Sequence, residues 1–479
     1  MNISILGRRR HLQSTCPAIQ TLFFLCVLLT GAFGTLRLGM AAPVDQPNII
    51  FILADDLGYG DLGSYGQREI QTPHLDQLAR QGMRFTRFYA GSTVCAPSRC
   101  TLMTGLHTGH CLIRGNRRVD LREKDVTVAE MLKQAGYKTG MFGKWGLGSE
   151  GGTGLPTRQG FDAFFGYLDQ AHAHNYYPTF LIRGAAREPL DNVVPHPGRQ
   201  GQGVASEKKT YSHDLIMQEA LEFVDRNYQK PFFLYLPVTI PHANNEAGDQ
   251  GMEVPDLGIY ADRDWPEPEK GRAAMISYLD TGIGQLMQKL KDLGIDERTI
   301  VFFSSDNGPH DEGGSKSDFF NSSGSLRGSK RYLYEGGVRV PLIVRWPGKV
   351  AAGSQSDHIG AFWDFMPTAA DLAGTKSPKG IDGLSFAPTL LGKGHQKEHA
   401  YLYWEFHEHG KIQALLIENH KALRGLGKEV LLYDLVADPK ETKDIASSRP
   451  DLVERVEQIF AEERTPSERW PLRYKTETR

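Results

Sequence analysis

The stretch Asn48-Ile49-Ile50-Phe51-Ile52-Leu53-Ala54-Asp55-Asp56 decides how the rest of the chain is read. An unbroken apolar run has no polar face, so it suits a strand buried on both sides. It ends abruptly on two carboxylates. Runs of the same kind at residues 138–142, 232–237, 300–304 and 342–346 predict further buried strands. Between them, residues 73–81, 126–135, 213–227 and 273–293 carry apolar side chains at helical spacing. This alternation predicts an α/β fold, a mostly parallel sheet covered by helices on both faces. After about residue 392 the rhythm changes to short strands at 401–405, 414–418 and 430–434, then a charged helix at 451–463. The expected organisation is a catalytic domain over residues 43–391 and a C-terminal α+β subdomain, a small antiparallel sheet plus helix, over 392–479.

Residues 1–42 read as a signal peptide. Arg8-Arg9-Arg10 precede an apolar run at 22–29, and the small residues Gly39, Ala41 and Ala42 follow. The run is shorter than the roughly 20 residues that span a bilayer. The expectation is an exported protein, periplasmic or secreted, with no stable membrane insertion once the signal is removed. Cys16 and Cys26 would leave with it, and Cys95, Cys100 and Cys111 are too few for a disulfide framework. An odd cysteine in an exported chain flags a thiol with its own task. Net charge is only −2, which excludes a general field for nucleic acid, so anion recognition must be local. The Gly- and Pro-rich residues 187–209 read as a surface excursion.

In open α/β sheets, ligands gather beyond the carboxyl ends of strands. Asp55 and Asp56 lie at one such end and Asp306-Asn307 at another. Carboxylates and a carboxamide are hard oxygen donors that suit Ca²⁺ or Mg²⁺ rather than zinc. In Val94-Cys95-Ala96-Pro97-Ser98-Arg99, proline predicts a helix starting at Pro97, which puts Cys95 at its N-terminus. Unpaired N–H groups there, with Arg99 one turn in, favour an anion.

Cys95-Ala96-Pro97-Ser98-Arg99 followed by Thr104-Gly105 resembles the signature of the formylglycine-dependent sulfatases. Gly143-Lys144-Trp145-Gly146-Leu147-Gly148, Pro241-His242 and Leu326-Arg327-Gly328-Ser329-Lys330 resemble further family motifs in family order. The resemblance runs from about Asn48 to the C-terminal region and implies the fold of the alkaline phosphatase superfamily. It implies that Cys95 is oxidised to formylglycine by a maturation enzyme, and that its hydrate attacks the sulfur of a small-molecule or glycan sulfate ester. Asp55, Asp56, Asp306 and Asn307, with residue 95, would hold the metal, Ca²⁺ being the family's ion. Arg99, Lys144 and Lys330 would neutralise the sulfate, and His242 would protonate the departing alcohol. One position departs from the pattern: the family usually has histidine where this chain has Gly146. His174, ahead of His172, is the expected substitute. A phosphomonoester or phosphonate hydrolase, or a silent carbohydrate-binding relative, would keep the same fold.

Overall fold

The protein is described by a computed structural model over residues 46–408 and 411–472, so the signal-peptide reading lies outside the described residues. The Asn48–Ala54 strand is wholly buried and forms the middle of an eleven-stranded sheet. It pairs in parallel with Phe232–Pro237 on one side and Thr299–Ser305 on the other. Lys138–Lys144 and Ala163–Tyr167 continue the parallel part. Beyond Thr299–Ser305 the direction reverses, since Arg339–Arg345 pairs antiparallel with that strand and with Met83–Tyr89. One apolar cluster lies on each face of the sheet, as a strand with alternate side chains up and down requires. Ile49, Phe51 and Leu53 enter one cluster, Ile50 and Ile52 the other.

The register of the central pair positions the site. Ala54 lies opposite Ser305, so Asp55-Asp56 and Asp306-Asn307 leave the sheet side by side. The Asp306 N–H donates to the Ala54 carbonyl at 3.0 Å. The helix after the Met83–Tyr89 strand spans Cys95–Thr104, so Cys95 is its first residue and Pro97 its third. This corrects the predicted start at Pro97. Proline fits anywhere in the first turn, where N–H groups have no partner within the helix.

The C-terminal sheet is four-stranded and antiparallel, in the order Leu402–Glu405, Lys411–Ile417, His420–Gly425, Val430–Asp434, with the helix Pro450–Glu462 packed on it. It shares an apolar cluster with the larger part, since Trp404 and Leu416 pack with Tyr89, Val94 and Val338. Trp404 also donates to the Ala90 carbonyl at 2.9 Å, bracing the segment that leads into Cys95. Among the described residues no helix is long and apolar enough to cross a membrane.

Candidate active site

Cys95, Arg99, Asp55, Asp56, Lys144, His242, Asp306, Asn307 and Lys330 are all buried. Their contacts join them into one network. The Cys95 Sγ donates to Asp55 Oδ1 at 3.3 Å, and Lys144 Nζ donates to Asp55 Oδ2 at 2.7 Å. Arg99 donates to Asp306 Oδ2 from Nε at 3.0 Å and Nη2 at 2.8 Å, and from Nη1 to the Lys144 carbonyl at 2.6 Å. This two-pronged grip needs a planar guanidinium. Lys330 Nζ reaches Asp56 Oδ2 at 2.8 Å, His242 Nε2 at 3.0 Å and Glu312 Oε2 at 3.1 Å.

Protonation follows from these neighbours. Burial works against an ionised Asp55, yet Lys144 and Arg99 hold its pKa down at about 2. Burial, helped by the charge of Asp55, pushes the Cys95 thiol well up, so an unmodified cysteine here is a poor nucleophile. Burial and then the Lys330 ammonium push His242 well down. His242 Nδ1 lies 2.7 Å from the Ala243 carbonyl, which requires a proton on that nitrogen and leaves Nε2 as the acceptor facing Lys330.

The donor set fits a hard divalent cation. Asn307 Oδ1 is buried and has no hydrogen-bond partner among the described residues, while its Nδ2 donates to Asp56 Oδ1 at 2.7 Å. Burial, and next the charge of Asp55, raise Asp306 to about 7 even beside Arg99, as expected of carboxylates buried close together. Asp56 adopts φ 64°, a left-handed conformation that aims its carboxylate beside Asp55, with its N–H on Asp306 Oδ1 at 3.1 Å. Ligand-capable atoms of Asp55, Asp56, Cys95 and His242 lie within 4.8 Å of one another. His242 is the one of these not expected as a ligand, and its Nε2 is engaged by Lys330.

His174 stacks on His242, with ring centroids 4.9 Å apart, and its Nδ1 lies 3.2 Å from Glu246 Oε2. His172 points elsewhere, buried against Tyr167 and Phe180. Tyr176 and Tyr260 are buried and hydrogen bonded. The Tyr176 hydroxyl donates to the carbonyls of Thr239, at 2.7 Å, and His242, at 2.5 Å, so it braces the histidine loop. Sequence reasoning missed Glu312, which joins Lys330 to Arg331, and His310, whose Nε2 lies 3.0 Å from the Pro241 carbonyl. Their nearness to Asp306-Asn307 in sequence was the available signal.

A buried cluster of fixed cations and hard oxygen donors at the carboxyl ends of a parallel sheet defines a hydrolase of anionic esters with an alkaline-phosphatase-like fold. Residues 47–375 match the family model Sulfatase, and residues 328–464 match the model of the N-sulphoglucosamine sulphohydrolase C-terminal region. Human arylsulfatase A is 33% identical over 90% of both chains. The N-acetylgalactosamine-6-O-sulfatase of Bacteroides thetaiotaomicron is 30% identical over 91% of this chain and 97% of its own. Among solved structures, Ps i-CgsB in complex with a neocarrahexaose aligns with a TM-score of 0.74 at 27% identity, over 90% of this chain and 96% of that one. The chain belongs to the sulfatase family and is a sulfuric ester hydrolase.

Proposed function

We propose that this sulfatase acts through formylglycine made from Cys95, with one divalent cation, Ca²⁺ ahead of Mg²⁺, held by Asp55, Asp56, Asp306, Asn307 and residue 95. The observation that carries the reading is the buried Asn307 Oδ1, without a hydrogen-bond partner among the described residues, beside three carboxylates. When bound, the cation and the hydrated aldehyde would supply charge neutralisation and a nucleophilic hydroxyl. The protein's own groups do the rest. Asp55, Asp56, Asp306 and Glu312 stand against Arg99, Lys144, Lys330 and Arg331, so the cluster is close to neutral by itself. A divalent cation would tip it positive and favour an anionic ester. Lys144 and Lys330, on opposite sides through Asp55 and Asp56, would bind the sulfate oxygens. The His242–Lys330 pair, joined at 3.0 Å, would hold the proton that the departing alcohol needs. His174 and Glu246 would fix the orientation of His242.

The substrate class proposed is a carbohydrate sulfate, supported by the N-acetylgalactosamine-6-sulfatase relatives and the neocarrahexaose complex. The maturation enzyme, export under the 1–42 signal and the 43–391 and 392–479 division belong to the same proposal. Mass analysis of the Cys95 peptide from active protein should show the thiol replaced by an aldehyde or its hydrate. Hydrolysis of N-acetylgalactosamine-6-sulfate and an aryl sulfate, each against its phosphate counterpart, tests the ester. Active protein carrying only cysteine, or faster phosphate ester cleavage, would overturn this reading.

A further inference from the structure

The space opposite Gly146 is filled from another segment. Gly146 has φ +76°, its N–H donates to the Leu168 carbonyl at 3.0 Å, and a Cβ built on it would lie 1.9 Å from Gln170 Nε2. The position therefore admits no side chain while Gln170 is in place. Gln170 Nε2 and Oε1 are both buried, and neither has a hydrogen-bond partner among the described residues. An unmet donor and an unmet acceptor on one buried amide are costly, and a glutamine is retained in such a place when something else meets both.

Both chain directions from this contact lead into the cysteine pocket. Two residues before Gly146, Lys144 Nζ lies 2.7 Å from Asp55, whose other oxygen accepts from Cys95. Four residues after Gln170, His174 stacks on His242. His174 itself is turned toward Glu246.

We infer that Gln170 is a positioning residue that stands in for the family's histidine: its carboxamide would accept from and donate to the hydrated aldehyde at residue 95. The inference rests on the formylglycine reading above. A carboxamide has a donor and an acceptor but no titratable proton, so it orients the hydrate and favours it over the free aldehyde without acting as a base.

Gln170→Met is the decisive variant, because it keeps the volume and removes both polar atoms. With formylglycine verified by mass, the substrate-free enzyme is treated with an aminooxy probe, which captures free aldehyde and not hydrate. Capture should quicken about three- to tenfold in Gln170→Met, the effect of one or two lost hydrogen bonds. The burst of alcohol release should slow and kcat/KM fall with it, because less of the enzyme carries the attacking hydrate, and no sulfated enzyme should accumulate. In the unmodified cysteine form, Gln170→Met should melt no lower than wild type, since it relieves two orphaned polar atoms. Unchanged capture in Gln170→Met, or quickened capture in His174→Ala instead, would overturn the inference. Wild type that carries the aldehyde but hydrolyses no sulfate ester would overturn the functional reading and not the contact. Gln170→Asn, too short to reach, should behave as Met and so excludes a polarity effect at a distance.

Discussion

Arg99 makes three hydrogen bonds while wholly buried, two of them from one fork onto Asp306. Lysine can keep the charge but not the fork, so Arg99→Lys should lower kcat by about 10²–10³, the usual cost of one preorganised charge partner, while the fold persists. Steady-state rates beside a far-UV spectrum check this. If the proposed metal site is right, Asp306→Ala should abolish it, and exhaustive chelation of the wild type should empty it reversibly. Metal stoichiometry and melting temperature, each restored by Ca²⁺, measure it independently of turnover. These residues were legible because their chemistry coincides with strand ends and a helix start, where sequence pattern is strongest. Glu312, His310 and Gln170 were not, since they lie in turns whose partners are fixed only by tertiary packing. Gly146 was visible as a departure, but its sequence does not say that Gln170, held on a separate turn, lies over it.

At the scale of elements, the all-apolar strands and long amphipathic helices were readable, and an interrupted alternating strand and a helix without a polar face were not. Met83–Tyr89 reads Met-Arg-Phe-Thr-Arg-Phe-Tyr, and its alternation breaks at a register shift between Phe85 and Phe88. The helix Phe365–Ala373 is buried on nearly every side, so it shows no polar face to set its period. The Lys138–Lys144 strand carries a more specific constraint. Gly143 has φ +127°, and a Cβ there would meet the Pro237 carbonyl at 2.0 Å. Gly143→Ala should therefore cost about 1–3 kcal/mol in strain, read as a lower urea midpoint, and should shift Lys144 enough to lose activity with it. Thr127→Ala is the contrast. It removes the capping box that Thr127 and Glu130 form at the start of Val128–Gln134, and should cost about 1 kcal/mol with turnover unchanged.

Across the whole molecule, the C-terminal segment is closed onto the catalytic part by a cluster that periodicity could not reveal, because it joins residues some 350 positions apart. His107 Nε2 lies 3.2 Å from Glu463 Oε1, and the stacked His110, within the catalytic part, has its Nδ1 2.9 Å from Asp382 Oδ1. His107 Nδ1 accepts from the Gly109 N–H at 3.0 Å, so Nε2 carries the proton given to Glu463. Tyr401 donates to the other oxygen of Glu463 at 2.6 Å, Thr465 N–H donates to the Gly109 carbonyl at 3.0 Å, and Arg114 adds a positive charge nearby that opposes protonation of His110. The hydrogen bond to Asp382, against partial burial, raises the pKa of His110 above 6.5. The hydrogen bond from His107 lowers Glu463 from 4.5 to about 2. The signs follow by linkage. His110 contributes stability that is complete below 6.5 and is lost as pH rises through its raised folded value. Glu463 contributes stability that is present above 4.5 and is lost as pH falls toward about 2. The clasp is therefore strongest between about 4.5 and 6.5. Both groups are partly exposed, so the effect is screened by salt and modest. Melting curves of wild type, His110→Gln and Glu463→Gln should differ most inside that window. The His110→Gln difference should shrink at alkaline pH, and the Glu463→Gln difference should shrink in acid. A gap between wild type and His110→Gln that widens above neutrality would show that the charged histidine is not what stabilises the cluster.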